Sequence, residues 1–471
     1  MATYKTPGVY IEEISIFPPS VAQVETAIPA FIGFTQKAKK EKDDDLRNVP
    51  KRITSLIEYS QYFGSAEDEK DIEVELTGDA AVKTVIEVRF AAGKTPSNHI
   101  MYYALQMFFA NGGGPCYIVS VGPTSAAGTI DKAKLKDGLD ALKKEDEPTL
   151  IIFPEAILGL DDATHGAIIS DALKQCKELK DRFAIIDVEV DTTDTIAENA
   201  TTFRSNVSGT PEELKYGAAY YPYIKTTFPY TVQDADVKIT DSRTNIVTAL
   251  GATPTVDSIK AVDNNLYNQV KAKLGVFFIT LPPASSVAGI YASVDRDRGV
   301  WKAPANVPVS NVIEPNVKVT DADQDGLNID TTAGKSINVI RAFTGKGTLV
   351  WGARTLLGND NEWRYVSVRR FFNMVEESVK KATYQFVFEP NDANTWVKVR
   401  AMIENYLTVL WRQGALAGAK PEHAFFVKVG LNITMTAQDI LEGYMHIEIG
   451  MAAVRPAEFI VLKFSHKMQE S

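Results

Sequence analysis

Thr149-Leu-Ile-Ile-Phe153, a helical stretch from about Ala163 to Leu179, and Ala184-Ile-Ile-Asp-Val188 follow one another in the first half of the chain. The two outer runs are short, apolar and rich in β-branched residues. Runs of this kind suit strands buried on both faces, and strand–helix–strand order makes them neighbours in a parallel sheet. Cys116-Tyr-Ile-Val-Ser-Val121 is a strand of the same type upstream, and Ala30-Phe-Ile-Gly-Phe34 reads as another. Between them, His99 to Ala110 has helical periodicity, with Ile100, Tyr103, Ala104, Met107 and Phe108 on one face. Asn111-Gly-Gly-Gly114 stops that helix. The expected fold class is α/β, a mixed sheet flanked by helices.

Downstream, the stretch at about 205–265 is rich in Thr, Asp and Asn and shows no long apolar face; it reads as a polar insertion on the outer surface. Leu266 to Leu274 resumes a helix and Gly275 to Leu281 a buried strand. After residue 340 a second compact unit is expected. Glu362 to Thr383 is helical, with Val368, Phe371, Phe372, Val375, Val379 and Ala382 on one side. Phe386-Val-Phe388 reads as a strand. Asn391 or Asp392 can cap a helix whose apolar face is Trp396, Val399, Ile403, Leu407 and Leu410. His423 to Val429 and His446 to Ile449 are further strands. The expected organisation is an N-terminal arm over 1–25, an α/β region over 26–340, a C-terminal α/β domain over 341–456 and a C-terminal arm over 457–471.

The 471 residues allow two to four domains at about 100–200 residues each. A net charge of −10 disfavours a nucleic-acid binder. Two cysteines, Cys116 and Cys176, exclude a disulfide-rich scaffold and a four-cysteine zinc site. The five histidines form no pair at metal-binding spacing on one helix, so no cofactor or metal is expected. The start Met1-Ala-Thr-Tyr-Lys lacks a secretory leader, and no apolar run reaches the roughly 20 residues that span a bilayer. The expectation is a chain made in the cytoplasm, without direct membrane insertion.

Catalytic patterns are weak. Asp321-Ala-Asp323-Gln-Asp325-Gly326 begins like a calcium loop, but Thr332 stands where a bidentate Glu is required, so an acidic surface turn is expected. Gly112-Gly-Gly114 follows a helix rather than opening one, unlike a phosphate cradle. Asp187 lies at a strand end, a good place for chemistry in α/β folds, yet no nucleophile or His partner is evident. Cys176 lies in a helical stretch with Leu173 and Leu179 and reads as a buried structural thiol; His165 reads as a helix-start residue. An enzyme with dispersed active-site residues stays open as an alternative, as does a monomeric scaffold whose end strands close its own sheet.

The two ends carry the strongest signal. Val9-Tyr-Ile11 lies in an extended segment between Pro7-Gly8 and Pro18-Pro19. Ala457-Glu-Phe-Ile-Val-Leu-Lys-Phe464 reads as a strand apolar on both faces. A free strand of that kind is an adhesive edge, which either closes its own sheet or joins another chain's.

Tyr4-Lys-Thr-Pro-Gly-Val-Tyr-Ile-Glu-Glu13 and Ala30-Phe-Ile-Gly33 resemble stretches of the contractile tail sheath proteins of phages and phage-like injection systems. So do Tyr62-Phe-Gly64, Phe108-Phe-Ala-Asn-Gly-Gly113, Ala288-Gly-Ile-Tyr291 and Arg298-Gly-Val-Trp-Lys-Ala-Pro-Ala-Asn306. Leu327-Asn328, Ile337-Asn-Val-Ile-Arg341, Trp351-Gly-Ala-Arg-Thr-Leu356 and Arg455-Pro-Ala-Glu-Phe-Ile460 continue the series in order, while 205–265 carries no clear marker. The resemblance implies a non-enzymatic subunit of a phage tail-like particle. It would polymerise helically with its own copies around an inner tube protein, in an extended metastable state, and contract to drive the tube through a target envelope. Baseplate and terminal cap proteins are implied partners, and sheath paralogues are further candidates. The resemblance also implies that the arms exchange strands between subunits. The N-arm set is Val9, Tyr10, Ile11, Glu12, Glu13 and Ile14; the C-arm set is Phe459, Ile460, Val461, Leu462, Lys463 and Phe464. The C-terminal domain would face the tube, with Arg369, Arg370, Glu376, Glu377, Lys380 and Lys381 as its candidate contact. Glu376–Lys380 and Glu377–Lys381 have the i,i+4 spacing of an ordinary solvated helix face, which is the alternative for that set.

Overall fold

The computed structural model describes residues 21–79, 83–124, 129–243 and 254–462. Among these residues the short apolar runs gather in one nine-stranded sheet. Its order is Val307–Pro308, Gly347–Trp351, Ile337–Phe343, Gly217–Tyr221, Phe183–Asp187, Leu150–Ile152, Pro29–Thr35, Cys116–Pro123 and Lys51–Ile53. The six strands from Ile337–Phe343 to Cys116–Pro123 are parallel to one another, and the outer strands at both edges pair antiparallel. Pro29–Thr35 is buried at every position, and its side chains alternate between two cores. Phe31 meets Ile118, Ile152, Ile185 and Tyr220 on one face. Ala30, Ile32 and Phe34 meet Val119, Leu139, Ile169 and Cys176 on the other.

Helices cover both faces, as parallel strands require. Met101–Ala110 and Ala284–Arg298 lie on the first core. Lys132–Leu142 and Asp162–Leu179 lie on the second, and the latter is started by Asp161, whose carboxylate accepts from the Thr164 N–H at 2.9 Å. The first two helices touch through their backbones. A Cβ on Gly289 would lie 2.4 Å from the Phe108 carbonyl oxygen, so only glycine fits that crossing.

The stretch read as a polar insertion divides three ways. Gly217–Tyr221 is a fully buried strand of the large sheet. Ile224–Pro229 joins a three-stranded sheet with Phe278–Leu281 and Val312–Pro315. Lys238–Asp241 pairs with Ile72–Asp79, which in turn pairs with Lys83–Phe90, over a separate core that includes Val74, Leu76, Ile239, Ile259 and Val270. The acidic run Asp321–Asn328 is a helix rather than a turn: Thr320 and Asp323 cap it reciprocally.

The chain forms two compact units, one of 25–373 with the return from Arg455, the other of 374–454 with Val21–Val24 among the described residues. The division expected at 340/341 therefore falls at 373/374, because Ile337–Phe343 and Gly347–Trp351 complete the large sheet. In the smaller unit, Asp392 starts Ala393–Arg412 by accepting from the Thr395 N–H at 3.0 Å. Val399, Ile403, Leu407 and Leu410 line its buried face, which packs on Phe425–Val429. That strand pairs antiparallel with Ile447–Met451. Phe386-Val-Phe388 is not a strand. Tyr384–Phe386 is a single 3-10 turn between two helices, and Phe388 follows at φ +72°. Aromatic and β-branched content gave it strand propensity, but so short a link presents no sheet to join.

Candidate functional site

The leads toward catalysis resolve into scaffolding. Asp187 ends its strand and is buried; its Oδ1 accepts from the Ala284 N–H at 2.7 Å, where a helix begins. Burial pushes its carboxyl up to about 8, and the hydrogen bond offsets only part of that rise. Cys176 is buried beneath the second core, and burial raises its thiol far above the reactive range. His165 sits in the first turns of Asp162–Leu179, and burial lowers it to about 4, which keeps it neutral. It lines an open surface pocket with Asp162, Glu189, Asp191 and Asn199. Burial and then a hydrogen bond with Asp162 push Glu189 up to about 8. Asp191 accepts from the Thr193 N–H at 2.8 Å and Oγ1 at 2.7 Å, and Asn199 Nδ2 donates to the Asp191 carbonyl at 3.0 Å. These bonds organise a loop. Among the described residues, no group of three or more His, Cys, Asp or Glu is placed to hold a metal ion, and no helix is long and apolar enough to cross a membrane.

The helix Val366–Thr383 separates its six charged residues. Arg369 and Arg370 are 2% and 4% exposed. Arg370 donates to Asp295 Oδ1 at 3.0 Å, to Asp295 Oδ2, and to the Thr26 carbonyl at 2.9 Å, and it lies 4.5 Å over the Tyr291 ring. Arg369 donates to Asn373 Oδ1 at 2.8 Å and stacks 4.3 Å from Trp363. Both guanidinium groups are thus engaged inside the larger unit and are withdrawn from the candidate contact surface. Glu377 is also buried, and it accepts from Lys380 Nζ at 3.0 Å. Glu376 and Lys380 are exposed and Lys381 is half-buried. The missed signal lay in the apolar neighbours: Val368, Phe371 and Val375 put the arginines within reach of the interior face.

The end segments are the remaining site. Val9, Tyr10, Ile11, Glu12, Glu13 and Ile14 lie outside the described residues, as do Lys463 and Phe464. Phe459, Ile460, Val461 and Leu462 are described. They are 67%, 78%, 76% and 73% exposed and pair with no strand among the described residues. Immediately before them, the Glu458 carboxylate is held by Arg354. Sequence spacing gave no hint of that pair, whose members lie 104 positions apart. The pair Phe425–Val429 and Ile447–Met451 is a two-stranded sheet with no third strand among the described residues. Val427 and Val429 point inward while Phe426 and Lys428 face solvent. Among the described residues, one chain therefore presents both an unpaired apolar segment and an open-edged sheet.

Residues 128–356 match the family model described as the phage tail sheath protein central domain, and residues 358–467 match the phage tail sheath C-terminal domain. The chain is 26% identical over 171 residues to the tail sheath protein of Enterobacteria phage T4. That match covers 36% of this chain and 24% of the T4 protein, so it spans about a quarter of that relative. In three dimensions the chain is similar to one in the contracted helical sheath of the anti-feeding prophage, with a TM-score of 0.64 and 33% identity over 99% of this chain and 100% of the other. It is likewise similar to a chain of the contracted PVC sheath complex of an extracellular contractile injection system, with a TM-score of 0.64 and 31% identity over 99% of both.

Proposed function

Since the chain belongs to the phage tail sheath family, we propose that it builds a sheath which polymerises around an inner tube, is held in an extended metastable form, and shortens to drive the tube through a target envelope. The observation that carries this reading is the exposed run Phe459–Leu462, four large apolar residues with no strand partner among the described residues. Added to an edge of the sheet of Phe425–Val429 and Ile447–Met451 in a neighbouring copy, the run gains main-chain hydrogen bonds, each worth a net ~0.5–1.5 kcal/mol, together with side-chain burial. The N-arm set Val9 to Ile14 serves a second joint of the same kind. Such joints persist while other contacts between copies break and re-form, which lets a lattice shorten without coming apart. The stroke draws on energy held in the assembled lattice and requires no chemical step in the subunit.

The sheath starts from a baseplate and ends at a cap protein, with sheath paralogues as further candidate members of the lattice. The chain is made in the cytoplasm and becomes part of a phage tail-like particle, whether that particle stays cytoplasmic, is anchored at a membrane or is released. Of the six charged residues on the helix Val366–Thr383, Glu376, Lys380 and Lys381 remain as the contact to the tube. The test is electron microscopy of the purified chain and of a chain lacking residues 459–471. The full chain forms tubes or rings, and the shortened one stays a folded monomer or small oligomer. Tubes of ordinary length from the shortened chain would overturn the strand-exchange mechanism.

A further inference from the structure

Three stretches far apart in sequence meet at one carboxylate. Arg354 Nε donates to Glu458 Oε1 at 2.9 Å and to Oε2 at 3.1 Å, and Nη2 donates to Oε2 at 2.7 Å. Asn328 Nδ2 donates to Oε1 at 2.9 Å, and the Tyr365 hydroxyl donates to Oε2 at 3.1 Å. The residue lies at the surface, yet its side chain is only 21% exposed because it turns inward. Burial by itself would raise its pKa; the hydrogen bonds from Arg354, Asn328 and Tyr365 outweigh burial and hold the carboxyl below the ordinary range.

The arginine is itself fixed. It is 3% exposed, and Nη1 donates to the Gly358 carbonyl at 3.2 Å. Its backbone is gripped from both sides by Asn338: Oδ1 accepts from the Arg354 N–H at 2.8 Å, and Nδ2 donates to the Arg354 carbonyl at 2.8 Å. Asn338 Nδ2 also donates to the Ala219 carbonyl at 3.1 Å. Asn338 belongs to Ile337–Phe343 and Ala219 to Gly217–Tyr221, two adjoining strands of the large sheet. A continuous series of hydrogen bonds thus runs from Glu458 into that sheet. One residue further along the chain, the exposed apolar run begins.

The geometry points to Glu458 as a clasp that sets where the C-terminal joining segment departs and passes any pull on that segment to the large sheet. This rests on the strand-exchange reading above and adds to it. A strand that must add to a neighbour in one register needs a fixed origin, since slipping by one residue turns every side chain to the opposite face. A charge-assisted, forked pair with two further donors supplies such an origin, while a plain apolar contact would slide. Glu458 and Arg354 are positioning residues: they do not touch the neighbouring copy in this scheme, and they act through residues 459–462.

The test uses the full chain with a nitroxide label on Ile460→Cys. Cys116 and Cys176 are buried, so the label goes to position 460. Three backgrounds are compared: otherwise unchanged, Arg354→Lys, and Glu458→Ala, with Glu458→Gln in reserve should the alanine chain not fold. Spin-label mobility in dilute monomer is read on the labelled chains, and polymer yield by sedimentation and the melting temperature on the same backgrounds with Ile460 retained and no label. The clasp predicts mobility rising and polymer yield falling in the order unchanged, Arg354→Lys, Glu458→Ala, with a loss of about tenfold at the end of the series, while melting temperature does not follow that order. A merely stabilising pair would move the melting temperature and leave the polymers of the folded fraction intact. If Glu458→Ala leaves the label restrained or the tubes at full yield, the clasp is wrong. The chain lacking residues 459–471 separates the two ideas. If it polymerises normally, strand exchange fails and takes the clasp's role with it. If it does not polymerise while Glu458→Ala does, the clasp alone fails.

Discussion

The large sheet and the small one treat their apolar residues in opposite ways. Every residue of Pro29–Thr35 is buried, both faces of the sheet carry helices, and the buried Arg370 is paired with Asp295. The smaller unit encloses Val399, Ile403 and Leu407 just as well, yet it leaves Phe388, Ile433 and Leu441 in water beside a sheet of only two strands. The larger unit closes its interior around a broad sheet, whereas the smaller one builds a core on one two-stranded sheet and keeps several large apolar side chains exposed.

The hardest blow to this contrast comes from inside the larger unit. Arg370→Ala strands Asp295 without its partner beneath the sheet, and breaking one side of a buried pair costs about 3–5 kcal/mol. Urea denaturation of the variant should show a loss of that size. A loss below about 1 kcal/mol would mean that the interior is far more tolerant than its packing implies.

Asp187 sharpens the contrast through pH. Its carboxyl titrates near 8 in the folded chain because it is buried, against an ordinary value of about 3.9 when unfolded. Between those values the folded chain binds the proton more tightly, so its stability falls as pH rises and the contribution is gone above the folded pKa. Asp187→Asn keeps an acceptor for the Ala284 N–H and removes the titration. Denaturation at pH 5 and pH 8.5 should show the wild type losing about 1–3 kcal/mol more than the variant across that range. Glu189, near 8, and Glu69, near 7, slope the same way, so the variant flattens the curve without levelling it. Equal slopes would show that Asp187 is not buried as described.

The smallest effect belongs to the outer surface. Phe388 is fully exposed and holds φ at +72°, a conformation that suits glycine. Phe388→Gly should leave the monomer unchanged or more stable by up to about 1 kcal/mol, because relief of strain is offset by greater freedom when unfolded. A clear loss on thermal melting would place that ring inside a packed interior after all.

Much of the larger unit was legible because its strands are dense in Val, Ile and Leu and its helices carry one apolar stripe. Leu150–Ile152 and Phe183–Asp187 announce themselves in that way. Gly217–Tyr221 does not: Gly-Ala-Ala-Tyr-Tyr mixes small and aromatic residues, and its burial comes from neighbours that local periodicity cannot show. The hairpin of Ile72–Asp79 and Lys83–Phe90 escaped because charged residues alternate with apolar ones over a core supplied from residues more than a hundred positions away. In the candidate site, the exposed apolar character of Phe459–Leu462 was readable from composition, whereas the fate of Arg369 and Arg370 was not. A charged side chain on an apolar helix face can snorkel outward or pair inward, and only the position of Asp295 and Trp363 decides.

The placement of strands has a consequence for manufacture. Pro29–Thr35 sits between Cys116–Pro123 and Leu150–Ile152, and Gly217–Tyr221 waits for Ile337–Phe343, so the large sheet closes only once the chain has been made past Trp351. Phe459–Leu462 emerge from the ribosome later than all of these strands. The proposed C-terminal joint therefore becomes available only after a copy has closed its interior, which keeps that segment from tangling with half-made chains.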